Sequence, residues 1–167
     1  MSDNVYLGNP NLKKANTAIE FTEDNIREFM KCKDDPVYFA KNYVKIISLD
    51  EGLTQFEPYH FQEKLINNFH SNRFNICKMP RQTGKSTTVV SYLLHYAVFN
   101  DSVNIGILAN KAATARELLG RLQTAYENLP KWMQQGIIAW NKGSLELENG
   151  SKILAASTSA SAVRGMS

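Results

Sequence analysis

Residues 79–87, Met-Pro-Arg-Gln-Thr-Gly-Lys-Ser-Thr, set a glycine, a lysine and two hydroxyl side chains at the spacing of a phosphate-binding loop of the Walker A kind. Phosphate held there would lie against the backbone N–H groups of Gln82, Thr83, Gly84, Lys85 and Ser86. A helix start is suited to this because its free donors and dipole favour anions. Lys85 would reach the β- and γ-phosphates, the Ser86 hydroxyl would ligate Mg²⁺, and Thr87 completes the pattern. The chain departs from the common pattern at its first glycine. Met79 stands there, followed by Pro80, whose ring fixes φ and pushes Met79 toward an extended conformation. Only Gly84 is left for a backbone position that needs positive φ or close phosphate approach.

Such a loop works only between a strand and a helix. The run Phe74-Asn75-Ile76-Cys77-Lys78-Met79 reads as a short strand, and Val89, Tyr92, Leu93, Tyr96 and Ala97 recur at helical spacing after Lys85. Val103 to Ala109 is a near-continuous apolar run, as expected of a parallel strand covered on both faces. A helix follows from about Lys111 to Asn128. Strand, helix, strand, helix predicts an α/β fold with a parallel sheet flanked by helices. Upstream, Thr22 and Asp35-Pro36 are helix starts, giving a small helical layer. Residues 48–58 read as a connector, and His60 to Phe69 as a third helix. Near the far end, Asn149-Gly150 between alternating segments is a hairpin signal. The expected organisation is a flexible or partner-held arm over 1–20, an accessory helical segment over 21–56 and a nucleotide-binding core over 57–167.

Composition excludes more than it selects. A chain of 167 residues with 43% hydrophobic content is long enough for one ordinary domain, and a net charge of +3 is too mild to announce nucleic acid. No apolar stretch reaches the length of a membrane span, and the first residues lack a signal peptide. Cys32 and Cys77 read as reduced, buried thiols. These features point to a cytoplasmic protein without a membrane partner.

Several residue strings resemble the ATPase end of the large terminase subunit of tailed bacteriophages, of the T-even-like and cyanophage type. They are Tyr6 to Asn16, the glycine-poor loop Pro80 to Ser86, Ile107-Leu108-Ala109-Asn110-Lys111, Trp140-Asn141-Lys142-Gly143-Ser144 and Ala162-Val163-Arg164-Gly165. The resemblance implies a P-loop ATPase that uses ATP and Mg²⁺ to drive double-stranded viral DNA into a procapsid. It also implies portal, procapsid and small terminase subunit as partners, homo-oligomeric assembly there, and the host cytoplasm as the place of work. It assigns Phe61-Gln62 to the adenine, where a glutamine amide offers a donor and an acceptor to one base edge. The alternative for Gln62 is a helix residue facing solvent. Arg81 matches the position proposed for a cis-acting arginine finger, against the alternative of an ion pair anchoring the loop. Lys111, Arg116 and Arg121 are candidates for DNA phosphate or a solvated helix face, and Arg164 for coupling.

ATP hydrolysis of this kind also needs a carboxylate pair after an apolar strand. The acids after Lys85 are Asp101, Glu117, Glu127, Glu146 and Glu148, and none ends a run of four apolar residues. The expectation is therefore an N-terminal part of a longer terminase, truncated before the second catalytic strand and lacking the nuclease domain, which binds nucleotide without turnover by itself. A P-loop helicase-like nucleic-acid ATPase and a noncatalytic nucleotide-binding module remain as alternatives.

Overall fold

The computed structural model describes residues 4–48 and 50–158. In chain order the elements are β1 (Val5–Tyr6), β2 (Asn9–Lys13), α1 (Glu23–Asp34), α2 (Pro36–Tyr43), β3 (Lys45–Ser48), β4 (Gly52–Gln55), α3 (His60–Ser71), α4 (Lys85–Phe99), β5 (Asn104–Ala109), α5 (Ala112–Glu127), β6 (Ile137–Trp140), β7 (Ser144–Leu147) and β8 (Lys152–Ser157).

Local chemistry sets the helix starts. The Thr22 hydroxyl accepts the Asn25 N–H while the Asn25 side chain accepts the Thr22 N–H, so two orphan donors of α1 are satisfied reciprocally. The Asp35 carboxylate accepts the N–H groups of Val37 and Tyr38, and Pro36 occupies the first helical position, where a missing N–H costs nothing. The α1–α2 corner is then tied by Glu28, whose carboxylate takes the hydroxyls of both Tyr43 and Tyr38. Those two donors hold Glu28 below the usual carboxylate range.

The main sheet has the order β5-β8-β7-β6 and is mixed. Strands β5 and β8 are parallel, with Ile105 opposite Ile153, whereas β7 runs antiparallel to both β8 and β6. The expected parallel sheet is thus corrected to one parallel pair extended by an antiparallel meander. The Asn149-Gly150 turn makes the difference, since Gly150 at φ 82 reverses the chain between β7 and β8. Strand β5 is also covered on one face only. Ile105 and Ile107 are buried, while Asn104 and Leu108 are exposed.

The expected strand over Phe74–Met79 does not form. Residues 73–80 join no ladder among the described residues, and Phe74 and Ile76 are 83% and 100% exposed. An apolar run supplies propensity but not a partner, and a strand without a neighbour leaves its backbone groups to water. Cys77, expected to be buried in that strand, is exposed, whereas Cys32 is fully buried and its thiol pKa is pushed up to about 12 by desolvation.

Two hairpins occupy stretches read as arm and connector. Strands β3 and β4 pair antiparallel around Gly52. Strands β1 and β2 form a second hairpin, held to the body by Leu12, which is buried, and by Gln134. The Gln134 oxygen accepts the Lys13 N–H at 3.0 Å, and its Nε2 donates to the carbonyls of Asn11, Leu129 and Tyr126. A buried amide with all its groups engaged fixes one geometry, because any other leaves a polar atom unpaired. Lys13 further reaches Glu148 at 3.5 Å.

Helix α4 lies between the two halves of the molecule. Leu94, Ala97 and Val98 join the core that includes Leu119, Leu122 and Ala125 of α5, and α5 in turn covers β5 and β8. On its other side, His95 is buried against Phe39 and Phe99, with its Nε2 2.8 Å from the Cys32 carbonyl. Nε2 therefore carries the proton, and Nδ1 has no partner among the described residues.

Burial lowers the His95 pKa from 6.5 to about 4. The unfolded chain takes up a proton as pH falls below 6.5, and the folded chain resists until about pH 4, so stability present at neutral pH is lost across that window. From pH 7 to pH 5 the loss attributable to this residue is about 2 kcal/mol. Urea unfolding at both pH values is predicted to show that His95→Gln has a correspondingly shallower pH dependence. An equal loss in both proteins would mean that His95 is not the titrating group.

Candidate phosphate-loop site

The loop that links the unpaired segment to α4 is closed by its own side chains. Gln82 has φ 61 and Gly84 has φ 71, so two left-handed residues turn the backbone within three positions. The Thr83 hydroxyl donates to the Pro80 carbonyl at 3.0 Å, and Lys85 Nζ donates to the Met79 carbonyl at 2.9 Å. Met79, where the common pattern has glycine, thus supplies the oxygen that holds the lysine across the mouth of the loop. The ammonium of Lys85 and the first N–H groups of α4 both belong to this small region. Helices leave their first four N–H groups without intrahelical partners, and these donors carry the positive end of the dipole.

Gly84 is the N-cap of α4, and its carbonyl is a meeting point of donors. Thr88 gives it both its backbone N–H at 3.0 Å and its hydroxyl at 2.9 Å, and Gln62 Nε2 approaches to 3.4 Å. A Cβ at position 84 would stand 2.4 Å from Gln62 Nε2. Glycine is required here twice over, by the sign of φ and by the amide packed on it.

Gln62 is therefore not a solvent-facing helix residue. It is 3% exposed, and its Oε1 accepts the Tyr59 N–H at 2.8 Å at the start of α3. Phe61 points the other way, half-exposed, and stacks on the exposed ring of Tyr59 at 5.9 Å between centroids and 11° between planes. Tyr59 and Thr88 are site-forming residues that sequence reading did not single out. The Thr88 spacing, four residues after the loop glycine on a helix, is a signal for a hydroxyl returning to the N-cap carbonyl. Tyr59 gives no such signal, since its ring meets Phe61 only once the chain turns into α3.

The remaining candidates separate. Arg81 is exposed at the loop and makes no ion pair among the described residues. Ser86 and Thr87 are half-buried in the first turn of α4. Thr87 faces a groove toward Ile46, Ile47, Gly120 and Arg121. Lys111 is the exposed N-cap of α5, Arg116 is exposed, and Arg121 is engaged by Glu117 at 2.6 Å on the same helix. Arg164 lies outside the described residues. The Trp140–Ser144 segment is a tight turn: Asn141 Oδ1 accepts the N–H groups of Gly143 and Ser144, and Gln123 fastens the Asn141 carbonyl to α5. Among the described residues no group of three His, Cys, Asp or Glu side chains could hold a metal ion. No helix among them is long and apolar enough to cross a membrane.

Gly84→Ala tests the loop conformation. The left-handed backbone alone costs an alanine about 1–2 kcal/mol, and the methyl must displace Gln62 as well. Chemical denaturation is predicted to show at least that loss. Undiminished stability would mean that the loop takes another course.

Residues 76–167, more than half of the chain, match the family described as terminase large subunit, T4-like virus type, N-terminal. The fold is similar to the crystal structure of the large terminase of bacteriophage HK97, with a TM-score of 0.61 and 17% sequence identity. That likeness covers 77% of this chain and 28% of the HK97 chain.

Proposed function

The chain belongs to the T4-like terminase large-subunit family, and we propose that it forms the nucleotide-binding front of a motor that couples ATP hydrolysis to movement of double-stranded viral DNA into a procapsid. The observation that carries this reading is the loop itself. A left-handed Gly84 caps a 15-residue helix, and the lysine that follows it reaches back across the loop to Met79.

The residues fit a triphosphate. The N–H groups at the start of α4 would hold phosphate oxygens, and Lys85, released from the Met79 carbonyl, would set its charge against them. The Ser86 hydroxyl would ligate Mg²⁺, which when bound neutralises the charge bridging the phosphates. Gln82 and Thr83 shape the loop, and Thr87 continues the helix toward the groove beside β3. Phe61 would lend its ring to the base. Arg81 is free to fold over the transferring phosphoryl group and offset its charge, the role of an arginine finger. Lys111, at the carboxyl end of β5 where α5 begins, is placed to meet a DNA phosphate. Arg121 is less suited while Glu117 holds it. Portal, procapsid, the small terminase subunit and further copies of the chain are the partners that this reading implies, in the host cytoplasm.

Hydrolysis would draw its acids from outside the described residues, so turnover is a property of the full-length terminase on this reading. There, Lys85→Ala is predicted to abolish ATP hydrolysis, because the cation facing the transferring group is lost. Arg81→Ala is predicted to lower kcat by about 10³-fold or more while changing nucleotide affinity little. Steady-state ATPase kinetics decide both. Undiminished turnover by Lys85→Ala would remove the phosphate-loop assignment, and an unchanged kcat with weaker binding would make Arg81 a ground-state anchor.

A further inference from the structure

We propose that Asn149 is a modification site: its side-chain amide is lost by attack of the following backbone nitrogen, the end of α4 holds that reaction off in the folded chain, and the product cannot take the same seat. The proposal is independent of the phosphate-loop reading and concerns the opposite end of the same helix.

Asn149-Gly150 is the only Asn-Gly pair in the sequence. Such a pair reacts with itself because glycine has no side chain to keep its nitrogen away from the preceding amide carbon. The Gly150 nitrogen, losing its proton to solvent hydroxide, bonds to Asn149 Cγ, the Cγ–Nδ2 bond breaks, and Nδ2 leaves as ammonia with a proton from water. Water then opens the cyclic imide at either carbonyl, giving aspartate or isoaspartate. The net change is a water consumed and an ammonia released. The fold has no less reactive residue to place there, since Gly150 has φ 82 and a Cβ on it would stand 2.9 Å from Ser102 Oγ.

In the folded chain each group in that reaction is held. Asn149 Nδ2 donates to the carbonyls of Ala97 at 2.9 Å and Asn100 at 3.1 Å, and its Oδ1 accepts the Ser151 N–H at 3.0 Å. The Gly150 N–H is turned to the Leu147 carbonyl at 3.0 Å, an acceptor too weakly basic to remove its proton. Helices end in carbonyls without intrahelical donors, and two carbonyls at the end of α4 take theirs from Asn149. Cyclisation therefore has to wait until the β7–β8 turn opens away from α4.

The product lacks what the seat requires. A carboxylate has no hydrogen to donate, so Ala97 loses this donor, Asn100 keeps only Ser151 Oγ at 2.8 Å, and a negative charge faces the negative end of the helix dipole. No basic residue stands in the last turn of α4 to offset it. Isoaspartate in addition carries the main chain through the former side chain and lengthens the turn by a carbon. A chain that has opened and reacted does not close as before.

The test compares the folded full chain, the same chain unfolded in urea, and a synthetic peptide spanning residues 144–155, incubated at one pH and temperature, with tandem mass spectrometry reading the acid at position 149. We expect the folded chain to react at least about tenfold more slowly than the other two, as for any step that must wait for a local opening. Thermal unfolding then compares Asn149→Asp, the product in chemical form, with Asn149→Ala, which loses the donors without adding charge. The aspartate variant is expected to lower the midpoint by about 4 °C or more, and by more than alanine does. Equal rates in the folded chain and the peptide would overturn the protection, and a peptide that stays intact would remove the site. Wild-type stability in Asn149→Asp would overturn the one-way step. The rate comparison uses no variant, so it decides the site even if neither substitution folds.

Discussion

Burial of α4 on two sides is the constraint from which the rest of the molecule follows. One side carries Leu94, Ala97 and Val98 into the core shared with α5, and the other sets His95 and Phe99 among the aromatic rings of the helical layer. A helix so clamped cannot rotate or slide without opening a cavity on one face and a clash on the other, because protein interiors are packed at crystal density. Its first residue is Lys85, so the clamp fixes the point in space at which the loop must end. The loop then needs only a turn of the right hand, which Gln82 and Gly84 supply.

Polar contacts refine what packing defines. Two glutamines, Gln62 and Gln134, sit in the interior with both ends of their amides engaged, and each bridges elements remote in sequence. An amide is suited to this task because it donates and accepts from one rigid plane. Buried where water cannot substitute, it rejects any arrangement that leaves either end bare. His95 does similar work with a single hydrogen bond to Cys32, at the expense of tolerance to acid.

Signals confined to a few neighbouring residues were the ones legible in the sequence. The caps Thr22 and Asp35, the proline after Asp35, the Asn149-Gly150 turn and the Gly84-Lys85-Ser86 triplet each act within one turn of chain, and each stands where its chemistry places it. Pairing was not legible. Phe74–Met79 has the residue types of a strand and no ladder, while β2, Asn-Pro-Asn-Leu-Lys, looks like a loop and is a strand because Val5 and Tyr6 lie beside it. The mixed sheet was missed for the same reason, since the Asn149-Gly150 turn signals an antiparallel β7–β8 pair but not that β8 also lies parallel to β5 in one sheet. In the site, residue types singled out the loop and Phe61-Gln62 as candidates. Which way each of those two side chains turns was decided by Tyr59 and Gly84, one three residues before Gln62 and the other twenty-two after it.

The opening hairpin has a bearing on the order in which the chain acquires its shape. Lys13 takes its backbone acceptor from Gln134, Ala15 donates to the Ile137 carbonyl, and Asn16 donates to Glu148. Each partner lies more than 120 residues downstream. On a ribosome adding about 5–20 residues per second, those partners follow the hairpin by roughly 6–25 seconds. Helices α1 to α4 contain their own hydrogen bonds and can form as they emerge, whereas Leu12 has no core to enter until α5 and the meander arrive. The residues of this hairpin, made before their partners, are thus among the last to be seated, and its apolar surface stays exposed in the nascent chain until they arrive.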